Sequence, residues 1–248
     1  MFSPSFEIAP LGLKLGSDEI HIWMAVLDQP VSRLHRFVQT LSVEERIRAE
    51  RYHFERDREN FIARRGILRV ILGFYLNVES SLLAFRYGKN GKPELTDTFG
   101  DGTIHFNLSH SDGVALFAFA RDREIGVDIE EIRDISDMEE IVGRFFCGRE
   151  NEVYRSLGES QKREAFFNGW TCKEAFVKAV GDGLSRPLNQ FDVSLLPGEP
   201  AKLLRVEGDT GEASRWSIQD LKPAPNYVGA FAVKTHRYET KCWRWEGT

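Results

Sequence analysis

The stretch FNLSHSDGVALFAFARDREIGVDIEEI, residues 106–132, consists of short apolar runs separated by polar segments. Residues 105–108, 114–120 and 125–129 each have the length and composition of a strand. The polar segments SHSDG and RDRE lie between them. Short apolar runs bounded by turn residues are typical of neighbouring strands. The stretch therefore predicts three strands of one sheet, with a tight loop at 109–113.

Helices and further strands are predicted around this sheet. Alternation over 19–27 predicts a strand, and SVEE at 42–45 predicts a helix start, because serine followed three residues later by glutamate forms a capping box. Helical periodicity recurs over 57–76, 138–146, 150–157 and 161–180. Later segments, FDVSLL, AKLLRV, RWSIQDL and YVGAFAVK, predict antiparallel strands. Mixed blocks without a β-α-β rhythm favour an α+β fold.

Composition limits the class of protein. At 248 residues and 42% hydrophobic, the chain can bury a core as one large domain or as two. A boundary near residue 122 would give halves 1–122 and 123–248, although no direct sequence repeat is convincing. The longest apolar run is too short to span a bilayer, the N-terminus lacks a signal-peptide pattern, and the three cysteines are scattered. We expect a soluble protein of the reducing cytoplasm.

Charge argues against one class of partner and favours another. A net charge of −5 is unlike that of a nucleic-acid-binding protein. Between Arg33 and Arg69, however, ten arginines and no lysine stand against six acidic residues. Arginine suits bidentate capture of phosphate. The alternative is a solvated helix held by ion pairs between successive turns.

Two segments carry acidic residues at suggestive spacings. In IGVDIEEI, a strand period of two places Asp128 and Glu130 on one face, about 6.6 Å apart along the strand. Both could bind one cation, and oxygen ligands suit Mg²⁺; otherwise they form a solvent-facing acidic edge. On the following helix, Trp170, Glu174 and Lys178 share one stripe. One interpretation of Glu174 and Lys178 is a surface ion pair. In the other, Glu174 is a third metal-binding carboxylate that also transfers protons, and Lys178 is a cation beside it.

The segment NLSHSDG offers Ser109 and His110 directly after a strand. A serine hydrolase would present its nucleophile in a GxSxG turn, which is absent from the sequence. Hydroxyl and imidazole donors beside Gly113 are better suited to binding an anion such as phosphate. A turn stabilised by Ser and Asn side chains is compatible with either interpretation.

Three stretches follow one another in the sequence: FNLSHS at 106–111 with ALFAFA at 115–120, IGVDIEEI at 125–132, and FFNGWTCKEAFVKAVGDGLSRPL at 166–188. In this order they resemble the motifs of the Sfp-type 4′-phosphopantetheinyl transferases. Upstream, GKP at 91–93 and ERIRAERYHFERDRENFIARRGILR at 45–69 also match, so the resemblance covers most of 42–193. It implies a pseudo-twofold tandem of two similar α+β halves, with the active site in the cleft between them. The half 1–122 would bind the nucleotide end of coenzyme A, and 123–248 would carry the metal and the catalytic helix.

The implied reaction transfers the 4′-phosphopantetheine arm of coenzyme A to a serine hydroxyl of an apo acyl or peptidyl carrier protein and releases 3′,5′-ADP. The implied cofactor is Mg²⁺, with Mn²⁺ as an alternative. The resemblance implies partners in coenzyme A and an apo carrier protein, none in nucleic acid or membrane, and a monomer that is a pseudo-dimer within one chain. Two rivals are a metal-dependent phosphohydrolase, which would use water in place of the carrier serine, and a non-catalytic coenzyme A or nucleotide-binding module.

The resemblance also implies roles for individual residues. Asp128, Glu130 and Glu174 would hold the metal on the coenzyme pyrophosphate; among them, Glu174 would also be the base, with Lys178 polarising the phosphoryl oxygen. The implied coenzyme-binding residues are Arg48, Lys92, Ser109, His110, Lys173 and Lys178. Glu150 matches a further acidic position.

The chain departs from the family pattern at Glu45, where some relatives carry a basic residue. Arg51, Arg64 or Arg65 could supply the missing charge of the 3′-phosphate pocket. Lys89 is a rival of Lys92 as the basic residue near GKP.

Overall fold

The computed structural model describes residues 5–10, 12–88, 91–96, 104–181, 183 and 186–247. Its helices are α1 (Val31–Thr40), α2 (Val43–Glu50), α3 (Glu55–Leu76), α4 (Met138–Phe145), α5 (Gly148–Ser156) and α6 (Glu159–Val180). Its strands are β1 (Glu7–Ile8), β2 (Glu19–Val26), β3 (Phe85–Tyr87), β4 (Pro93–Leu95), β5 (Ile104–Ser111), β6 (Val114–Arg121), β7 (Ile125–Glu131), β8 (Phe191–Val193), β9 (Leu203–Val206), β10 (Ser217–Leu221), β11 (Tyr227–Val233) and β12 (Glu239–Arg244). The predicted α+β class is confirmed. None of the helices described is long and apolar enough to cross a bilayer.

The three strands predicted from residues 106–132 are β5, β6 and β7. The prediction that they share one sheet is wrong, because β5 pairs with β6 in a five-stranded sheet whereas β7 pairs with β11 in a three-stranded one. The predicted loop at 109–113 is wrong in extent, because β5 continues to Ser111 and pairs in register with β6 down to Val114. Only Asp112 and Gly113 form the turn, both with positive φ, at 34° and 83°. Two residues with positive φ are typical of a tight hairpin whose twist matches its strands. Ser109 therefore lies in a strand, where the strand period decides its direction.

Two units of the chain share one topology. The first sheet has the order β1-β12-β2-β6-β5 and the second the order β10-β11-β7. In each unit an opening strand (β2 or β7) is followed by two shorter helices, a 22-residue helix (α3 or α6) and four strands, of which the last pairs antiparallel with the first. Thus β2-β6-β5 corresponds to β7-β11-β10. This repeat in topology agrees with the implied pseudo-twofold tandem.

The C-terminal strand crosses between the units. β12 pairs in parallel with β2, so the end of the chain completes the first sheet. The division into domains 1–122 and 123–248 remains a prediction, and β12 is the segment that would extend from the second into the first.

The two sheets pack against each other, and each long helix covers an outer face. Between the sheets lie alternate residues of the facing strands: Ile20, Ile22, Met24, Leu116, Ala118, Ile125, Val127, Ile129 and Phe231. The other face of β2 and β6 packs on α3, and that of β11 packs on α6. A strand covered on both faces needs apolar residues on both, which explains the continuous run of β6, VALFAFA.

A buried ion pair anchors the helices of the first unit. The capping box predicted at 42–45 is confirmed, with the Ser42 side chain accepting from Glu45 N–H and the Glu45 carboxylate accepting from Ser42 N–H. The same carboxylate lies 2.8 Å from the Arg69 guanidinium on α3. Arg69 also donates to the carbonyls of Ser80 and Leu83. Glu45 is therefore a structural residue, buried away from solvent.

The second unit repeats this arrangement. Cys147 and Glu150 form a capping box at the start of α5, and Glu150 lies 2.8 Å from Lys173 Nζ. Lys173 donates to the carbonyls of Leu188 and Phe191, at 2.8 and 2.7 Å. Arg69 and Lys173 are each the fifteenth residue of their 22-residue helix. The pairs Glu45–Arg69 and Glu150–Lys173 thus occupy equivalent places, which supports the pseudo-twofold relation where no sequence repeat is evident.

Gly126 lets β7 lie directly on α6. A Cβ added to Gly126 would meet the backbone of α6, at 2.2 Å from Ala175 O and 2.3 Å from Ala179 N. Backbone atoms cannot move aside as a flexible side chain would. Only glycine permits this close approach of the strand and the helix.

Substitution of Gly126 should separate the strand from the helix. We expect Gly126→Ala to lower the free energy of unfolding by about 1–3 kcal/mol, the usual cost of overpacking, measured by urea denaturation. The matched control is Gly143→Ala in α4, where an added Cβ meets nothing within 4 Å and alanine should stabilise the helix by about 0.5–1 kcal/mol. Equal effects of the two substitutions would contradict this account of Gly126.

Loss of the Lys173 ammonium should leave a buried, unpaired carboxylate. We expect Lys173→Met to lower the free energy of unfolding by about 3–5 kcal/mol, because Glu150 would keep its charge without a partner. The double variant Lys173→Met/Glu150→Gln should recover part of this loss in the same denaturation assay. A Lys173→Met protein as stable as the parent would show that the pair is not structural.

Candidate active site

Side-chain hydrogen bonds join β5 of the first unit to β7 of the second. Asn107 Oδ1 accepts from Val127 N–H at 2.9 Å, and Ser109 Oγ donates to Asp128 Oδ1 at 2.8 Å. Alternate residues of a strand share a face, so Asn107, Ser109 and the third member, Ser111, all point toward β7. The boundary between the two units is therefore polar at the place where the acidic strand lies.

Ser111 contacts the second acidic residue of β7. Its hydroxyl donates to Glu130 Oε2 at 3.1 Å and accepts from Glu131 N–H at 3.1 Å. The sequence analysis did not single out Ser111. The signal was available, since Ser111 follows Ser109 by two residues and a strand through both places them on one face.

Asp128 is the centre of the cluster. It is 2% exposed, and its Oδ1 lies 2.6 Å from Lys178 Nζ on α6. Lys178 Nζ also lies 2.9 Å from Ser109 Oγ. The other carboxylate oxygen, Asp128 Oδ2, is buried and has no hydrogen-bond partner. A buried carboxylate oxygen without a partner is costly and favours a positive ligand at that place.

Glu174 and Glu130 feel the charge of Asp128. Burial raises the pKa of Glu174; Lys178, one turn further along α6, opposes this shift, and Asp128 adds to it. Burial, and then the charge of Asp128, raise the pKa of Glu130, while the hydrogen bond from Ser111 lowers it. The charge of Asp128 therefore raises the pKa of both neighbouring carboxylates, as happens where several carboxylates share one cation site.

The oxygen atoms of these carboxylates suit a hard divalent cation, although they are not arranged as a complete metal site. All the candidate ligand atoms are oxygens, which Mg²⁺ prefers. Asp128 Oδ2 has no hydrogen-bond partner and is therefore available to bind a cation. Within the described ranges, however, no three acidic, histidine or cysteine groups are arranged as a ready-made metal site. The structure brings the carboxylates into one region without completing a ligand cage.

A cluster of arginines lies on the first unit's side of this region. The guanidinium groups of Arg48, Arg64 and Arg65 lie 5.5, 5.7 and 5.9 Å from the centroid of the Phe61 ring. Burial, with the like charges of Arg65 and Arg48, lowers the pKa of Arg64 to about 10. Arg64 Nη1 lies 2.8 Å from His110 Nδ1. Crowded positive groups of this kind favour an anion.

His110 is neutral at physiological pH. Desolvation, followed by the charges of Arg64 and Lys178, lowers the pKa of His110 to about 4. The charges of Arg64, from the arginine cluster, and of Lys178, from the Asp128 cluster, both act on His110. Arg51 lines a surface depression with Arg48 and Tyr52 beside the arginine cluster.

The ammonium groups of two predicted coenzyme-binding lysines, Lys173 and Lys92, are bonded to other groups of the protein. Lys173 is fully buried, and its ammonium is bonded to Glu150 and two carbonyls. This corrects the prediction that Lys173 contacts the coenzyme, because no ligand can reach a side chain with no exposed surface. Lys92 donates to two backbone carbonyls, those of Lys178 and Ile125. Its rival, Lys89, lies outside the described residues.

A cavity of about 440 Å³ opens beside Glu174 and Lys178. Its apolar wall includes Phe145, Trp170 and Val177. The stripe of Trp170, Glu174 and Lys178 predicted on α6 is thus one wall of this cavity. An apolar cavity with a few charged groups at one end is the usual form of a small-molecule site.

Comparison with known proteins shows the family of the chain. Residues 28–121 match the family model "4′-phosphopantetheinyl transferase, N-terminal", and residues 124–232 match the model of the 4′-phosphopantetheinyl transferase superfamily. The chain is 45% identical over 236 residues to the 4′-phosphopantetheinyl transferase HetI of Nostoc sp., covering 95% of this chain and 96% of that protein. It is 31% identical to the 4′-phosphopantetheinyl transferase Sfp of Bacillus subtilis, covering 70% and 76%. The chain therefore belongs to the 4′-phosphopantetheinyl transferase superfamily.

Proposed function

We propose that this transferase moves the 4′-phosphopantetheine arm of coenzyme A to a serine hydroxyl of an apo acyl or peptidyl carrier protein, with Mg²⁺, and releases 3′,5′-ADP. Family membership gives the reaction class. The proposed location of the site is based on the cluster of Asp128, Ser109 and Lys178 where the two units meet. We further propose that the enzyme works as a monomer in the cytoplasm.

The nucleotide end of coenzyme A binds at the arginine cluster. Arg48 is exposed and Arg64 is half-buried, so both can reach a phosphate. Arg65 is 5% exposed and contacts Glu45 and Tyr87, which suits a supporting role. Guanidinium groups bind phosphate through paired, charge-assisted hydrogen bonds. Neutral His110 adds a ring nitrogen at the same phosphate.

The metal binds at the carboxylates. Asp128 through Oδ2, with Glu130 and Glu174, would hold Mg²⁺, or Mn²⁺ in its place. When bound, such a cation neutralises charge on the coenzyme pyrophosphate. The unpartnered oxygen of Asp128 and the raised pKa values of its two neighbours support this assignment.

Glu174 takes the proton of the carrier serine. The serine oxygen forms a bond to the β-phosphorus, and the bond from that phosphorus to the bridging oxygen of the pyrophosphate breaks. The 3′,5′-ADP leaves with the bridging oxygen, and the serine proton passes to the Glu174 carboxylate. A raised pKa makes this carboxylate a better base than an exposed glutamate. Lys178 places its ammonium where negative charge develops on the phosphoryl oxygens.

Ser109 is a binding residue in this scheme. Its hydroxyl is bonded to Asp128 and Lys178 and positions both groups. The apolar cavity beside Glu174 accommodates the pantetheine arm as the carrier serine approaches. Catalysis then comes from positioning and charge rather than from a covalent enzyme intermediate.

The rival functions differ in their products. A phosphohydrolase would release free phosphopantetheine without any carrier, and a binding module would leave coenzyme A intact. The three acidic groups near Lys178 argue against the binding module, which needs only the arginine cluster. Membership of a transferase family argues against hydrolysis.

The function is tested by the mass of a carrier protein. An apo carrier incubated with coenzyme A, Mg²⁺ and the enzyme should gain one phosphopantetheine group, detected by intact-mass spectrometry. We expect Asp128→Asn, or removal of the metal with EDTA, to reduce the rate by at least about 100-fold, since each removes cation binding. Unchanged masses across several carriers, or free phosphopantetheine without a carrier, would contradict the proposal.

The matched control for Asp128→Asn is Glu131→Gln. Glu131 is a carboxylate of the same strand whose side chain points to the opposite face from Asp128 and Glu130. Its rate should stay within about twofold of the parent, the scale of a surface substitution. Equal losses of rate in the two variants would show that Asp128 is not a residue of the active site.

The arginine cluster should recognise the 3′-phosphate. We expect Arg64→Met to raise the KM for coenzyme A by about 10–100-fold, the loss of charge-assisted hydrogen bonds. The KM for 3′-dephospho-coenzyme A should change little, because that donor lacks the phosphate. Arg58→Met, which removes an arginine of the same helix paired only loosely with Glu55 at 3.6 Å, is the control. A similar rise with both donors would place the 3′-phosphate elsewhere.

A further inference from the structure

Lys92 connects the two elements that carry the candidate catalytic groups. It precedes β4 in the first unit, and its ammonium reaches across to the second. Lys92 Nζ donates to Lys178 O at 2.8 Å and to Ile125 O at 3.2 Å. Ile125 is the first residue of β7, and Lys178 lies in the last turn of α6. One side chain therefore joins the start of the acidic strand to the end of the catalytic helix.

The last turn of α6 needs such a donor. The final four carbonyls of a helix have no partner within it, and positive groups there are favoured by the helix dipole. Gly181 N–H bonds to the carbonyl of Val177. Lys92 supplies a charged donor to the next carbonyl, that of Lys178. This contact holds the backbone of the residue whose ammonium contacts Asp128.

The contact lies beside the closest approach of β7 and α6. Gly126, next to Ile125, packs directly on Ala175 and Ala179. The glycine allows the strand and the helix to touch, and the Lys92 ammonium bonds to both at the same end. Together they limit sliding of α6 along β7, which would change the separation of Asp128 from Glu174 and Lys178.

We propose that Lys92 is a positioning residue of the active site, which holds the last turn of α6 against the start of β7 and so sets Lys178 and Glu174 relative to Asp128. This inference rests on the proposed roles of those three residues. It differs from the coenzyme contact implied by family resemblance, because the ammonium is bonded to protein carbonyls. A positioning residue affects turnover, whereas a coenzyme contact affects coenzyme binding.

The test separates kcat from KM. We expect Lys92→Met to lower kcat by roughly 10–100-fold, since misplacement by about 1 Å has this effect, and to leave the KM for coenzyme A within about threefold. Lys92→Arg, which keeps the charge and the donors, should restore most of kcat. Lys234→Met is the matched control, because the Lys234 ammonium contacts the exposed Glu124 and the Trp216 ring and none of the candidate catalytic groups, so kcat should stay unchanged.

A readout independent of activity uses hydrogen exchange. Peptides covering the last turn of α6 should exchange at least about 10-fold faster in Lys92→Met than in the parent or in Lys92→Arg, because the local structure opens more readily. Lys92→Gln, which retains a neutral donor, replaces Lys92→Met if the latter does not fold. The same peptides of Lys92→Gln should also exchange faster than in the parent, by a smaller factor.

Two results would overturn the inference. One is a raised KM for coenzyme A with kcat unchanged, which would make Lys92 a coenzyme-binding residue. The other is unchanged exchange in the last turn of α6. If the parent protein modifies no carrier, the proposed function fails, whereas the exchange result still decides whether Lys92 holds the helix.

Discussion

The buried negative charge of Asp128 is the constraint on which the site depends. The charge of a carboxylate that is 2% exposed must be compensated. The first unit supplies the Ser109 hydroxyl, and α6 of the second unit supplies the Lys178 ammonium. One oxygen remains without a partner, which makes the compensation incomplete. The two further carboxylates beside it, Glu130 and Glu174, distinguish this cluster from an ordinary structural ion pair.

The contrast with the two structural ion pairs is instructive. Glu45 and Glu150 are as buried as Asp128, yet each is bonded both to the backbone of its helix cap and to a cation on a long helix. These pairs occupy equivalent positions in the two units and fix the long helices. The protein thus uses buried ion pairs for structure within each unit, and a buried carboxylate with further acidic neighbours for the candidate site between the units.

Sequence reasoning was most reliable where local patterns decide the structure. The strands β5 to β7, the long helices and the stripe of α6 follow from alternation and periodicity. It missed β12, whose pairing with β2 spans more than two hundred residues. It also assigned Lys173 to the coenzyme, because a motif gives a residue type but not its direction on the helix. Ser111 was missed although the strand period places it on the same face as Ser109. The role of Lys92 depends on contacts between the units, which no local pattern encodes.

The position of β12 has a consequence for synthesis of the protein. The strand that lies between β1 and β2 in the first sheet, β12, is made after all the other strands of that sheet. While the chain emerges from the ribosome, the edge of β2 stays open until residue 244 has been added, although all the other main strands of that sheet already exist. An open edge invites pairing with other chains. The nascent protein is therefore vulnerable to aggregation through this edge until β12 has been made.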